Sequence, residues 1–141
     1  MKRIYKIRTK MTSQVCEIKG KYNDFFTPDD LKNIVQANIP YGCSDKYIFI
    51  ANIKNKIIGI EQIYNSIDAI TTAIKANAAS IVIVMALPHH VTLKENYNSI
   101  KDIPGFSFHH AIKEMCNLFD IAWLETIVLD SNRNCIAYNE V

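Results

Sequence analysis

Residues 66–86 read SIDAITTAIKANAASIVIVMA, and the change of rhythm inside this stretch decides the fold. Up to Ala78 the apolar residues Ile67, Ile70, Ala73, Ile74 and Ala78 return at helical spacing. Ser66 suits the cap of that helix. From Ser80 to Ala86 there is no charged residue, the pattern of a central strand covered on both faces. A helix that runs directly into such a strand requires layers of helix and sheet.

The flanking sequence agrees. Lys46–Ile53 (KYIFIANI) and Ile57–Ile63 (IIGIEQI) are β-rich runs separated by Lys54-Asn55-Lys56, which predicts a hairpin. Further upstream, Thr27-Pro28-Asp29-Asp30 starts a helix: a cap, a proline at the first helical position and two acids at the positive end of the dipole. Leu31, Ile34 and Val35 follow at helical spacing, and Pro40 closes the element. Ile4-Tyr5-Lys6-Ile7-Arg8 alternates like a half-exposed strand. Downstream, residues 87–106 are irregular and hold Pro88 and Pro104-Gly105. Ser107 is placed to cap a helix with Phe108, Ala111, Ile112, Met115, Leu118 and Phe119 on one face. Ile121–Leu129 predicts a strand, and Cys135–Tyr138 a short one pairing back after a turn.

The chain of 141 residues is 49% hydrophobic and 21% charged, which fits one domain over residues 1–141 and excludes low-complexity disorder. No apolar run approaches the roughly 20 residues of a membrane helix. Met1–Lys10 lacks the apolar core of a signal peptide, so a cytoplasmic location is expected. Cys16, Cys43, Cys116 and Cys135 form no CxxC pair and are expected as free thiols, mostly buried. Residues 1–21 carry Lys2, Arg3, Lys6, Arg8, Lys10, Lys19 and Lys21 against Glu17, a net +6, while the rest sums to −4. Such an arm suits a charged strand that resists edge pairing, or contact with nucleic acid.

Ala73–Val84 (AIKANAASIVIV) resembles the helix-to-strand passage of the RadC-like branch of the JAB/MPN (JAMM) metalloprotease family. Asn52–Lys56 is similar to that family's hairpin turn, and Phe119–Glu125 to its late strand. The resemblance implies a single α/β (α+β) domain of JAB/MPN type: a mixed, largely antiparallel sheet packed between helices. It also implies where a zinc site would stand. In the family the strand continues into H-N-H-P-S-G, whose two histidines bind zinc. An aspartate in a later S-x-x-D is the third ligand, and an earlier glutamate is the general base.

This chain departs from that pattern. Pro88 fixes the register, so Met85 and Leu87 stand at the two histidine positions, and neither offers a nitrogen ligand. The S-x-x spacing of Ser107-Phe108-His109 ends at His110, whereas a count without gaps back from Ile121 lands on Gly105; neither is aspartate. Ser44 stands at the general-base position, with Asp45 beside it. The resemblance therefore implies the fold and the loss of its chemistry: a catalytically inactive domain with no cofactor and a binding or scaffold role toward an unknown partner.

Two other readings stay open. All four histidines come in pairs, His89-His90 and His109-His110, at either end of one variable loop. A rearranged zinc-hydrolase site would draw on both pairs, with Asp102 or Glu114 as further ligands. Otherwise they are solvated surface histidines, His109 and His110 lying near the polar face of their helix. The second reading is a DNA-associated protein of RadC type, resting on residues 1–21. No G-x-S-x-G elbow or phosphate-binding glycine loop occurs, and Cys116 is expected to fill a packing gap rather than act with His109. Met85 and Leu87, two apart on a strand, share a face. They are expected to pack against Phe108 or Ile112, with Phe106 and Phe108 plugging the cleft.

Overall fold

The uncharged run Ser80–Ala86 lies in the middle of a five-stranded sheet, and all seven of its residues are buried. A computed structural model of the chain describes residues 28–40, 42 and 44–140. Its elements are α1 (Pro28–Asn38), β1 (Lys46–Ala51), β2 (Ile57–Ile63), α2 (Ser66–Lys75), β3 (Ser80–Ala86), α3 (Phe106–Leu118), β4 (Ala122–Leu129) and β5 (Cys135–Ala137). Two 3-10 turns complete the described chain, at Ile100–Asp102 and Tyr138–Glu140. The expected strand Ile4–Arg8, the cap Thr27, Cys16, Cys43 and the basic segment 1–21 lie outside the described residues. Among the described residues no helix is long and apolar enough to cross a membrane.

The sheet order is β2-β1-β3-β4-β5. β3 and β4 are parallel and the other three pairings antiparallel, so this α+β sheet is mixed and largely antiparallel. Alternation along β3 sorts its side chains by face. Val82, Val84 and Ala86 pack with Leu31, Ile34 and Val35 of α1. Ile81 and Ile83 pack with Ala69, Ile70 and Ala73 of α2 and Ile112 and Cys116 of α3. A strand with no polar face can be stable only in such a three-layer arrangement, and each buried aliphatic chain contributes about 1.5–3 kcal/mol.

Local chemistry sets the ends. Asn52 Oδ1 accepts from the Lys54 and Lys56 amides, and Asn55 takes φ +60°, which closes the hairpin. This polar turn ends β1 at Ala51, two residues before the expected Ile53. Asn65, rather than Ser66, caps α2: its Oδ1 accepts from Asp68 N at 2.8 Å, and Asp68 Oδ2 accepts from Tyr64 N at 2.9 Å. The reciprocal pair satisfies two donors that Ser66, already helical, leaves open. Asn77 at φ +55° stops α2 before the expected end. Ile67 and Ile74, expected on its core face, are 66% and 50% exposed, because Ala69, Ile70 and Ala73 alone meet the sheet.

α3 begins at Phe106, one residue before the expected cap. Gly105 stands at the cap position in the left-handed region, with no side-chain cap bond, and Ser107 is exposed. Leu118 and Phe119, at the far end of α3, are 81% and 54% exposed. Tyr138 belongs to the last 3-10 turn rather than to β5.

Ser80 Oγ is buried with no hydrogen-bond partner among the described residues. An orphaned hydroxyl costs about 1–3 kcal/mol. Ser80→Ala is therefore expected to raise stability by about 1 kcal/mol in urea unfolding. A clear loss of stability would show that the hydroxyl is engaged.

Candidate functional site

The C-terminal end of β3 is where the sequence places the altered site. Met85 follows Ile81 and Ile83 on the face covered by α2 and α3, and it pairs across the sheet with Lys46 of β1 and Val128 of β4. It is buried in a cluster with Leu93, Ile103, Val128 and Tyr138. Leu87, Phe106 and Phe108 pack against this cluster. Met85 and Leu87 thus share one apolar cluster with Phe108, as expected. Ile112 does not join them; it lies in the neighbouring core under α2.

Gly105 lies directly against Met85. A Cβ added there would strike the Met85 thioether sulfur and methyl, and its φ of +82° is one that other residues rarely adopt. Of the two positions that counting left open, Gly105 is the one in contact with Met85. His110 instead is exposed, pairs with Glu114 at 3.1 Å and stacks on Phe106 at 5.7 Å. Ser44 is exposed with φ +56°, and the Asp45 carbonyl accepts from the Ala86 amide at 2.8 Å. Lys46 places its ammonium 5.2 Å from the Phe108 ring centroid, over the same cluster.

The histidine pairs have different surroundings. His89 is exposed and lies against Gly42, and its carbonyl accepts from Ser131 Oγ at 3.4 Å. His90 is exposed. His109 was expected near the polar face but is only 2% exposed. The reason is the helix phase: 109, 112 and 116 fall on one stripe, so the imidazole follows Ile112 and Cys116 inward. Among the described residues no group of three or more His, Cys, Asp or Glu gathers at metal-binding distance. Burial pushes the Cys116 thiol up to about 11, which keeps it protonated and poorly nucleophilic.

His109 sits in a polar and aromatic enclosure that β4 builds. The β3–β4 register passes from Ile81↔Trp123 to Val82↔Glu125, so Leu124 is an extra residue. This bulge places Trp123 and Thr126 on the same face, three positions apart. Trp123 Nε1 donates to Thr126 Oγ1 at 2.8 Å, and Thr126 Oγ1 meets His109 Nδ1 at 2.9 Å. The imidazole stacks on Tyr138, with centroids 4.0 Å apart, and meets Trp123 edge-on at 5.1 Å. Burial, then Lys113 and His110, lower its pKa to about 4. The ring is therefore neutral at pH 7, with Nδ1 hydrogen-bonded to the Thr126 hydroxyl.

Asp130, which the sequence shows only as part of a turn, is the second polar group of this end. It is fully buried and accepts four hydrogen bonds: Oδ1 from Asn132 N and Asn134 N, Oδ2 from Leu93 N and Asn134 Nδ2. Burial alone would raise its pKa, but these bonds outweigh it and hold the carboxyl below its ordinary value. The Leu93 bond ties the irregular 87–105 segment to the β4–β5 turn. Chemically, the strand end is built of thioether, aliphatic and aromatic side chains, and among the described residues no nucleophile stands beside an activated base. No protein-family model and no curated protein matches the chain.

Two expectations follow. Gly105→Ala should cost about 2–3 kcal/mol through strain and the clash with Met85, and the Met85→Ala background should recover at least about 1 kcal/mol of it. A double-mutant cycle in urea checks this, and full additivity would disprove the contact. Asp130→Asn should cost about 2 kcal/mol at neutral pH. Because the folded carboxyl is held below its unfolded value, its stabilisation is complete above pH ~4 and is lost as pH falls through the depressed value. The gap between parent and variant should therefore close in acid melts.

Proposed function

We propose that the chain is a metal-free relative of the RadC-like JAB/MPN domains, with a binding or assembly role in place of hydrolysis. The observation that carries this reading is the contact between Met85 and Gly105. The resemblance puts a zinc-binding histidine at Met85, and of its two counts for the zinc-binding aspartate, one ends at His110 and the other at Gly105. Met85 is a long apolar side chain and Gly105 has no side chain at all, so the thioether occupies the space between them. Leu87 at the second histidine position joins the same apolar cluster.

Further support comes from placement. The passage Ala73–Val84 forms the end of α2 and the first residues of the central strand, and Asn52–Lys56 forms the hairpin turn. Met85, Leu87 and Gly105 offer no side-chain nitrogen or oxygen donor, and His110, the other counted position, turns to Glu114 at the surface, so a zinc ion beside Met85 would gain nothing over water. The chemistry left to this end of the sheet is recognition through its surface.

Tag-free protein purified without added metal tests the reading by mass spectrometry. The expected content is well below one zinc per chain, and one zinc that survives dialysis against a weak chelator would overturn it. The double variant Met85→His, Leu87→His should lose about 3 kcal/mol of stability, since it exchanges buried apolar surface for two imidazoles without partners. Its melting temperature should not rise on adding zinc. A zinc-dependent gain would show a surviving metal cavity and favour the hydrolase reading.

A further inference from the structure

We propose that the C-terminal turn Tyr138–Glu140 is a latch over the Met85 cluster, held shut by the neutral ring of His109 and released when that ring is protonated. The proposal is independent of the family reading; it rests on four contacts of the turn. Tyr138 stacks face to face on His109. Its hydroxyl donates to the Pro104 carbonyl at 2.8 Å, beside Gly105 and Met85. Asn139 N donates to Glu125 Oε1 at 3.0 Å, and Asn139 Nδ2 donates to the Leu124 carbonyl at 2.9 Å. Tyr138 is itself a member of the buried Met85 cluster, so lifting the turn opens that cluster to solvent.

The His109 ring cannot take a second proton in place without cost. With both ring nitrogens protonated, Nδ1–H would share Thr126 Oγ1 with Trp123, and Nε2–H would have no hydrogen-bond partner among the described residues. Among the described residues, the groups around it offer no counter-charge to the ring. From α3 come Lys113 and His110, and Glu114 is engaged with His110. From β4 come the uncharged Trp123 and Thr126; the Glu125 carboxylate accepts instead from the Thr126 and Asn139 amides. From the turn comes the Tyr138 phenol, with Tyr97 near it, and from β1 comes Lys46 over Phe108. Stacking on Tyr138 returns part of the cost of an imidazolium. Burial and the two neighbouring bases prevail.

A ring that resists protonation when latched, and titrates near 6.5 when released, favours the latch fully above pH 6.5. That preference fades as pH falls toward 4. Between pH 7.5 and pH 5 the opening equilibrium should rise about thirtyfold.

Hydrogen–deuterium exchange tests this on the full chain in EDTA, at pH 7.5 and pH 5.0, with rates corrected for intrinsic exchange. The expected result is about thirtyfold greater opening in peptides covering 103–109 and 135–141, with no change in β1 and β3. His109→Phe, which keeps the stack and cannot titrate, should be flat. If that variant does not fold, His109→Gln serves as the flat reference. Fluorescence of Trp123, the only tryptophan, should change over the same range in the parent alone. The proposal fails if the parent shows no local rise, if the non-titrating variant shows the same rise, or if the rise spreads evenly over the sheet.

Discussion

β3 and β4 lie side by side and run the same way, and that one parallel pairing sets the route of a quarter of the chain. Parallel neighbours cannot be joined by a tight turn. The chain must leave β3 at Ala86 and return to the opposite end of the sheet to enter β4 at Ala122. α3 makes the return: its 13 residues span about 20 Å, close to the ~23 Å of the seven-residue β3. What remains, residues 87–105, has to be accommodated at the C-terminal end of β3 with little regular structure. It is held there by side chains from elsewhere: Asp130 takes the Leu93 amide, and Tyr138 takes the Pro104 carbonyl.

That requirement accounts for the apolar character of the strand end. The chain arrives at α3 through a left-handed residue directly against Met85, and only glycine fits both the backbone angle and the space. A methionine there fills an irregular gap with a flexible, apolar chain. Lys46, the partner of Met85 in the neighbouring strand, keeps its stem along the apolar surface and lays its ammonium over Phe108. The result is a closed end to the sheet whose parts depend on one another.

The backbone plan was legible because long-range and local signals agreed. Seven uncharged residues at 80–86 have no solution except burial on both faces, and Pro28-Asp29-Asp30 has few uses except a helix start. The shared cluster of Met85 and Leu87 follows from a period of two. The misreadings share another cause: neighbouring residues with similar local fitness, decided by tertiary contacts. Asn65 and Ser66 both cap helices, and Asp68 chose between them. Ser107 is the better cap in isolation, but Met85 required the glycine two residues earlier. His109 and His110 differ by one step around the helix, about 100°, which separates a buried ring from an exposed one. The roles of Trp123 and Thr126 depended on a bulge at Leu124 that no residue there announces. Asp130 needs the Leu93 amide, 37 positions away, to show its role.

The buried polar groups form a graded series, and the grading orders the parts of the molecule by how easily each can open. Asp130, with four hydrogen bonds, is costly to disturb and ties the loop to the β4–β5 turn. His109 has one hydrogen bond and a stack, so its hold on the last turn depends on a single protonation state. The Ser80 hydroxyl has no partner among the described residues, yet it lies where β3 is paired with both β1 and β4, and the strand carries it without local consequence. An unsatisfied group in a central strand lowers global stability, because the strand cannot open alone. A marginally satisfied group at the rim lowers the stability of its own segment. The difference in place, more than in chemistry, makes the His109 end of the sheet the part of this domain able to move while the rest stays folded.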